Sequence, residues 1–423
     1  MSRLKNDWPR KGGVMLPKGW LSASVASVCE TVSVGIVVNP SDYYVSEERG
    51  VKAFRSGNVR ENKVQDDRWV YLSEEGHIKN KKSVLQAGDV LIVRTGFAGT
   101  ACVVPQHLAG SNCIDVLFAR PKPDRLLPEY LSELTNSEVG RRQVFSGQTG
   151  LAQKHLNVAT YSKMSFGLPP LDEQRRIIEI LSTWNDAIAV AERLIVNCRR
   201  LRQSMLHHLV RKPASQARWP MLPISAISTR VQRRIESDEA FPVLMISSGS
   251  GFVRQDEKYS RFMAGKSLEN YVLLEEGEFA YNKGNSKRYE FGCIFPLKSH
   301  ERGLVPHVYV CFRLNPQYVS GFFEQLFAAD FLHDQLGALV NTGVRNNGLL
   351  NIRPHDFMAC SVPIPPLEDQ TRIADTLATA TQWMEKQEAI LVRLKQEKAA
   401  LMAVLLTGRR RVHFPDVKVE AQT

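Results

Sequence analysis

One stretch of this chain occurs twice. Leu168-Pro-Pro-Leu-Asp-Glu-Gln-Arg-Arg-Ile177 returns as Ile364-Pro-Pro-Leu-Glu-Asp-Gln-Thr-Arg-Ile373, an offset of 196 residues in a chain of 423. Each copy is a helix start. Paired prolines fix φ and lack a donor, so they stop whatever precedes them. The acids that follow, Asp172 and Glu173 in one copy and Glu368 and Asp369 in the other, suit the positive end of a helix.

Apolar residues then alternate in steps of four and three, the spacing of a coiled coil. The first seam is Ile177, Leu181, Trp184, Ile188, Ala191, Ile195, Cys198, Arg202, Met205 and Leu209. The second is Ile373, Leu377, Ala380, Met384, Gln387, Leu391, Leu394, Lys398, Leu401 and Leu405, again offset by 196 at every position. Even the basic interruption recurs, as Arg202 and Lys398. A helix of ~40 residues is ~60 Å long. It needs a partner, and the other copy is the nearest. A pseudo-twofold relation runs the pair antiparallel. We expect a register in which paired positions sum to 582, with Ile177 facing Leu405, Leu209 facing Ile373, Arg202 over Ala380 and Lys398 over the ring of Trp184.

The rest of the chain divides around these helices. Residues 1–15 form a tail, 16–170 and 213–366 are globular, 171–212 and 367–408 are the long helices, and 409–423 close the chain. In the first globular region, strands are expected at Val32–Val38, Trp69–Leu72, Val90–Val93 and Cys113–Phe118, a helix at Pro128–Asn136, and a strand at Met164–Leu168. Pro213 is expected to stop the first long helix and open a linker. The second region repeats the plan, with strands at Val243–Ile246, Tyr271–Leu274, Glu278–Tyr281 and Val308–Leu314 and one helix over Phe322–Leu336. Gly88-Asp89 and Gly277-Glu278 occupy matching places. The framework is kept between halves while the globular contents differ.

Seven scattered cysteines with no Cys-x-x-Cys argue against disulfides and structural zinc, and make a reducing cytoplasm the default. Met-Ser-Arg-Leu-Lys-Asn-Asp at the start has no apolar segment of a secretion signal, and no apolar run approaches the ~20 residues that span a bilayer. A net charge of +11 favours a polyanionic partner.

No catalytic constellation and no metal site stand out. Met263-Ala-Gly-Lys-Ser267 ends like a phosphate loop but has Ser260 where a glycine is required. Asn39-Pro40-Ser41-Asp42-Tyr43 lacks the second proline of an amino-methyltransferase motif, and Asp42 with Glu61 and Lys63 is too loose a set for a nuclease. His207-His208 is an adjacent pair on a helix rather than a metal-ligating spacing. What remains is recognition chemistry. Arg and Lys read guanine, Asn and Gln read adenine, and Ser, Thr and basic groups hold phosphates. The first region offers Arg55, Ser56, Asn58 and Arg60 on one turn, Arg94 and Thr95 on another, and Gln148, Thr149 and Lys154 on a third. The second offers Ser248, then Lys283, Asn285, Lys287 and Arg288, then Arg345, Asn346 and Asn347.

The doubled Pro-Pro-Leu-x-Glu/Asp-Gln-x-Arg-Ile opening resembles the specificity (S) subunits of Type I restriction–modification systems. So do Leu16-Pro-Lys-Gly-Trp20, the turn Gly57-Asn-Val59 and Gly88-Asp-Val-Leu-Ile92. The resemblance covers roughly 16–410. Glu368-Asp369-Gln370 departs slightly from the usual Glu before Gln, and the Gly-Asn-Val turn has no clear second copy.

The resemblance implies an α+β fold: two α/β target-recognition domains separated by two long antiparallel coiled-coil helices, with a pseudo-twofold internal repeat. It implies a non-catalytic, cytoplasmic subunit without a cofactor of its own. Each domain would read one half of a bipartite double-stranded DNA target. The helices would dock two methyltransferase subunits at Leu171, Glu173, Gln174, Ile177, Leu367, Asp369, Gln370 and Ile373. Motor–nuclease subunits would complete the assembly, with S-adenosylmethionine, ATP and Mg on the partners. The alternatives are a stand-alone nucleic-acid-binding protein that dimerises through its helices, and a fused methyltransferase or nuclease.

Overall fold

The computed structural model describes residues 16–145, 155–216, 218–235, 241–258, 269–284, 286–340 and 350–412. The chain forms two compact units, 1–192 with 389–423 and 193–388, so the division falls inside both long helices. Those helices are Leu171–Leu206 and Leu367–Leu405. None of the twenty seam positions is exposed.

In the first unit, Ile177 and Leu181 share one core with Met402, Leu405 and Leu406, and Lys395 Nζ reaches Glu192 Oε1 at 2.8 Å. In the second, Leu206 and Leu209 share a core with Ile373, Ala374 and Leu377, and Arg199 Nη2 reaches Glu388 Oε1 at 2.6 Å. Within each unit the segments therefore run antiparallel, near the expected register. One detail differs. Lys398 does not lie over Trp184; its ammonium sits 2.9 Å from Glu133 Oε2, because a buried cation gains more from a carboxylate than from a ring. Arg202, expected over Ala380, donates one residue further on to Thr381 Oγ1 at 2.9 Å, and also to Gln325 Oε1 at 2.8 Å.

The first unit holds a four-stranded antiparallel sheet in the order Cys29–Val34, Val116–Pro121, Val90–Val93, Ala101–Val103. A second sheet orders Asn112–Cys113, Val51–Phe54, Val70–Leu72 and Tyr44–Val45, its first pair parallel. The second unit repeats the first sheet as Ser228–Arg230, Val310–Leu314, Phe279–Asn282, Cys293–Pro296. In place of the second sheet it has the separate pairs Leu244–Ser247 with Gly251–Arg254 and Val272–Glu275 with Arg302–Val305. The shared sheet is the framework; the differing strands are the contents.

Matching turns explain the Gly-Asp and Gly-Glu repeat. Gly88 and Gly277 have φ of +85° and +81°, left-handed values that suit glycine. The acids behind them are buried. Asp89 receives Arg120 Nε and Nη2, both at 2.8 Å, and the Gln86 amide. Glu278 receives Arg233 Nη2 and Arg313 Nε, both at 2.8 Å, and the Glu275 amide. Each acid thus ties a turn to a strand of the common sheet.

Three expectations need correction. Pro213 does not stop the first long helix. A π-turn at His207–Arg211 carries it into Lys212–Ser215, where Pro213 sits in a first turn that does not need its missing N–H. Phe322–Leu336 is two helices, Ser320–Ala328 and His333–Leu339, broken where Asp330 turns left-handed at φ +54°. Cys113–Phe118 is likewise not one strand; Asp115 at φ +51° separates Asn112–Cys113 from Val116–Pro121.

Six cysteines are buried, and burial pushes the thiols of Cys29, Cys102, Cys293 and Cys311 up to about 12 and that of Cys360 to about 11. Cys113 moves in the same direction for the same reason. Thiolate is the reactive form. In the folded chain at pH 8, iodoacetamide therefore labels half-buried Cys198 first, and peptide mass spectrometry finds the other six protected until urea is added. Equal labelling of all seven would contradict this packing.

Candidate nucleic-acid interface

The turn carrying Arg55, Ser56, Asn58 and Arg60 forms one wall of an open cleft of about 650 Å³. Gln65, Asp67, Arg68, Ile114 and Asp115 complete its lining. Asn58 builds this wall from inside. It is 2% exposed. Its Oδ1 accepts from the Arg55 amide at 2.9 Å, and its Nδ2 donates to the carbonyls of Gln65 and Asp67 at 3.2 and 2.9 Å. Asn58, expected as a DNA-reading group, holds the loop's shape: both Nδ2 hydrogens donate and Oδ1 accepts within the loop. Beside it a Cβ on Gly57 would meet nothing within 4 Å, so the rim stays open to a large ligand.

Arg55, Arg60 and Arg68 are exposed and make no ion pair among the described residues. Arg60 donates only to the carbonyl of Val59, at 3.1 Å. Arg94, expected as a reading residue, is engaged within the fold. Its side chain is 15% exposed, with Nη1 on Asp115 Oδ1 at 2.7 Å and Nε on the Leu156 carbonyl at 3.2 Å. It orients Asp115 and does not itself face the cleft's solvent. In the cleft, three guanidiniums, Arg55, Arg60 and Arg68, stand beside two carboxylates, Asp67 and Asp115. Thr95 turns to His155 Nδ1 at 3.1 Å, away from this lining.

Arg68 and Asp115 were missing from the sequence reading. The available signal was an acid interrupting the apolar run Cys113-Ile-Asp-Val-Leu-Phe118, since Asp is depleted in strands and tolerated in left-handed turns.

In the second unit, Ser248 lies in the turn between Leu244–Ser247 and Gly251–Arg254. Lys287 and Arg288 are exposed on a different turn, with the Arg288 guanidinium 5.4 Å from the ring centre of Tyr289. Lys283 is half-buried, and its carbonyl accepts from the Leu350 amide at 3.1 Å. Gln148, Thr149, Lys154, Asn285, Arg345, Asn346 and Asn347 lie outside the described residues, as does Met263–Ser267. Glu61, weighed for a nuclease set, pairs with Arg141 instead.

Part of the duplicated helix opening is turned into the chain. Glu173, Gln174, Ile177, Gln370 and Ile373 are 4%, 0%, 1%, 2% and 1% exposed. Gln174 Oε1 accepts from the Leu127 amide at 2.9 Å, and its Nε2 donates to the carbonyls of Arg125 and Pro169 at 2.8 and 2.9 Å. Gln370 repeats this on the Val319 amide and the Pro365 carbonyl, both at 2.9 Å. Leu127 and Val319 are the N-caps of the helices Pro128–Asn136 and Ser320–Ala328. Each glutamine therefore ties a long helix to the start of a globular helix. Glu173 binds Trp20 Nε1 at 2.9 Å and Arg411 Nη2 at 2.7 Å. These five, expected at a docking surface, have their side chains taken up inside the chain. Leu367, 58% exposed, remains outward, with Leu171 and Asp369 half-buried.

Apolar side chains do face outward further along. Val190, Leu194 and Leu201 on the first long helix are 47%, 38% and 61% exposed, at steps of four and seven that share one face. Trp383 and Ile390 on the second, 44% and 46% exposed, are also seven apart. No described helix is long and apolar enough to cross a membrane.

A profile of the Type I restriction modification DNA specificity domain matches residues 40–196. The specificity subunit of the Type I restriction enzyme EcoKI from Escherichia coli K12 is 23% identical, over 95% of this chain and 92% of its own. The putative MjaX specificity subunit of Methanocaldococcus jannaschii is 21% identical, over 94% of this chain and 95% of its own. The crystal structure of the Type I restriction–modification S subunit from M. genitalium matches the fold with a TM-score of 0.54 at 13% identity, over 96% of this chain and 98% of that one.

Proposed function

We propose that this chain, similar over most of its length to Type I restriction specificity subunits, is itself a specificity subunit in which each globular region reads one half of a bipartite DNA target. The observation that carries this reading is the cleft of the first unit. Three exposed arginines with no ion pair among the described residues gather there, Arg55 and Arg60 on a loop that Asn58 holds from within. Guanidiniums poised in this way suit phosphates and guanine edges. A shared framework with differing contents supports two unlike half-sites.

The long helices dock two methyltransferase subunits; in the second unit Leu194 and Leu201, seven apart on the first helix, and Trp383 on the second face outward. The buried glutamines of the two openings, Gln174 and Gln370, act from inside, by fixing each helix to its globular region. Methyl transfer with S-adenosylmethionine, and ATP- and Mg-dependent cleavage, belong to the methyltransferase and motor–nuclease partners.

The test is to map methylated adenines in DNA from cells that carry the methyltransferase subunits with and without this chain. A two-part motif that disappears with the chain is the expected result. An unchanged methylation map would overturn the proposal.

A further inference from the structure

Of the two acids lining the cleft, Asp115 stands where phosphates would repel it. We propose that Asp115 is a specificity-determining residue, accepting a hydrogen bond from the exocyclic amine of one base in the half-site read by the first unit. This rests on the DNA-reading function proposed above.

The geometry aims the carboxylate. The Ile114 amide donates to the Phe54 carbonyl at 2.8 Å, and the Asp115 amide to the Ile36 carbonyl at 2.8 Å, so the backbone is pinned on both sides. Between these ties Asp115 is left-handed, φ +51°, a conformation that costs an L residue energy and gathers at functional sites. Arg94, largely buried, holds Oδ1 at 2.7 Å. The side chain remains 47% exposed, and Oδ2 has no partner among the described residues.

Electrostatics then narrows the ligand. Arg55, Arg60 and Arg68 around the same cleft favour a polyanion. A carboxylate facing the DNA backbone meets only negative oxygen. Its presence is favourable only where it meets a donor, and the donors that a duplex offers in its major groove are the N4 amine of cytosine and the N6 amine of adenine. A cation is a poor alternative beside Arg94 and the three cleft arginines. Asp115 therefore supplies a letter, while the arginines supply affinity and register.

The experiment uses the full chain with its methyltransferase subunits and reads the methylated motif at every position. Asp115→Gly removes the carboxylate and tolerates the left-handed backbone. It is expected to relax one base pair in one half-site, with discrimination there falling about ten- to hundred-fold, and to leave the other half unchanged. The relaxed pair, C·G or A·T, identifies the amine. Asp115→Asn keeps an acceptor for Arg94 and the fold, and should change preference at that same pair. It carries the test should the glycine variant melt at a lower temperature.

A motif unchanged at every position in either stably folded variant would overturn the assignment. So would a uniform loss of methylation at all sites, which would make Asp115 only an anchor for Arg94. The wild-type map keeps the two ideas apart: without a chain-dependent motif the proposed function fails, whereas a motif insensitive to Asp115 defeats this inference alone.

Discussion

Replacing Glu133 by alanine destabilises the first unit by about 3–5 kcal/mol, the cost of leaving a buried charge without its partner. Glu133 and Lys398 are 3% and 8% exposed, so water reaches neither freely. Glu133 Oε2 makes a charge contact with Lys398 Nζ at 2.9 Å, and Oε1 accepts from Asn185 Nδ2 at 2.7 Å. Alanine would strand the ammonium on the helix seam. The second unit contains the counterpart with different chemistry. Gln325 accepts from Arg202, which also donates to Thr381, and Arg202 and Thr381 sit 196 residues from Lys398 and Asn185. Arg202 is half-buried and keeps Thr381 as a partner, so Gln325→Ala should cost less, about 1–2 kcal/mol. Urea unfolding, followed by amide exchange in Pro128–Asn136 and in Ser320–Ala328, measures the two units separately. Replacing Glu133 and Lys398 together by leucine and methionine should recover most of the loss, since an apolar pair often matches a buried ion pair. Equal effects of Glu133→Ala and Gln325→Ala would count against the packing described here.

These triads show what a sequence can and cannot display. The long helices are legible because their signal is periodic and local: proline stops, acids in the first turn, and a seam in steps of four and three. The antiparallel register follows once the basic positions Arg202 and Lys398 are recognised as equivalents. Their partners are not legible. Glu133 precedes Lys398 by 265 residues, and no pattern links a helix of the globular region to the far end of a long helix. The cleft is half legible. Arg55 and Arg60 stand on a polar, glycine-containing turn, where a binding loop is expected. Asp115 lies inside what reads as a strand, and its left-handed backbone is set by tertiary ties to Ile36 and Phe54. The helix openings are a third case. A repeated polar sequence looks like a docking surface, yet repetition alone does not separate an external contact from an internal joint.

That joint carries the last prediction. Gln174→Leu is expected to destabilise the first unit by about 3 kcal/mol or more, at no gain in apolar packing. The side chain has no exposure and satisfies one amide and two carbonyls, those of Leu127, Arg125 and Pro169. Leucine fills similar space but leaves all three unpaired, at about 1–3 kcal/mol for each group that stays dry. Gln370→Leu breaks only the bonds to Val319 and Pro365, so about two-thirds of the effect is expected in the second unit. Urea midpoints for each unit provide the measurement. Both variants within about 0.5 kcal/mol of wild type, the range usual for exposed surface changes, would show that the motif does not act as an internal joint. The order of the two losses matters functionally. Gln174 fixes the N-cap of Pro128–Asn136 against the helix that opens at Leu171, so loosening it frees the globular region from its helix without altering any cleft residue. On the function proposed above, methylation in cells then falls with the folded fraction and keeps every letter of the motif, the opposite signature to that proposed for Asp115.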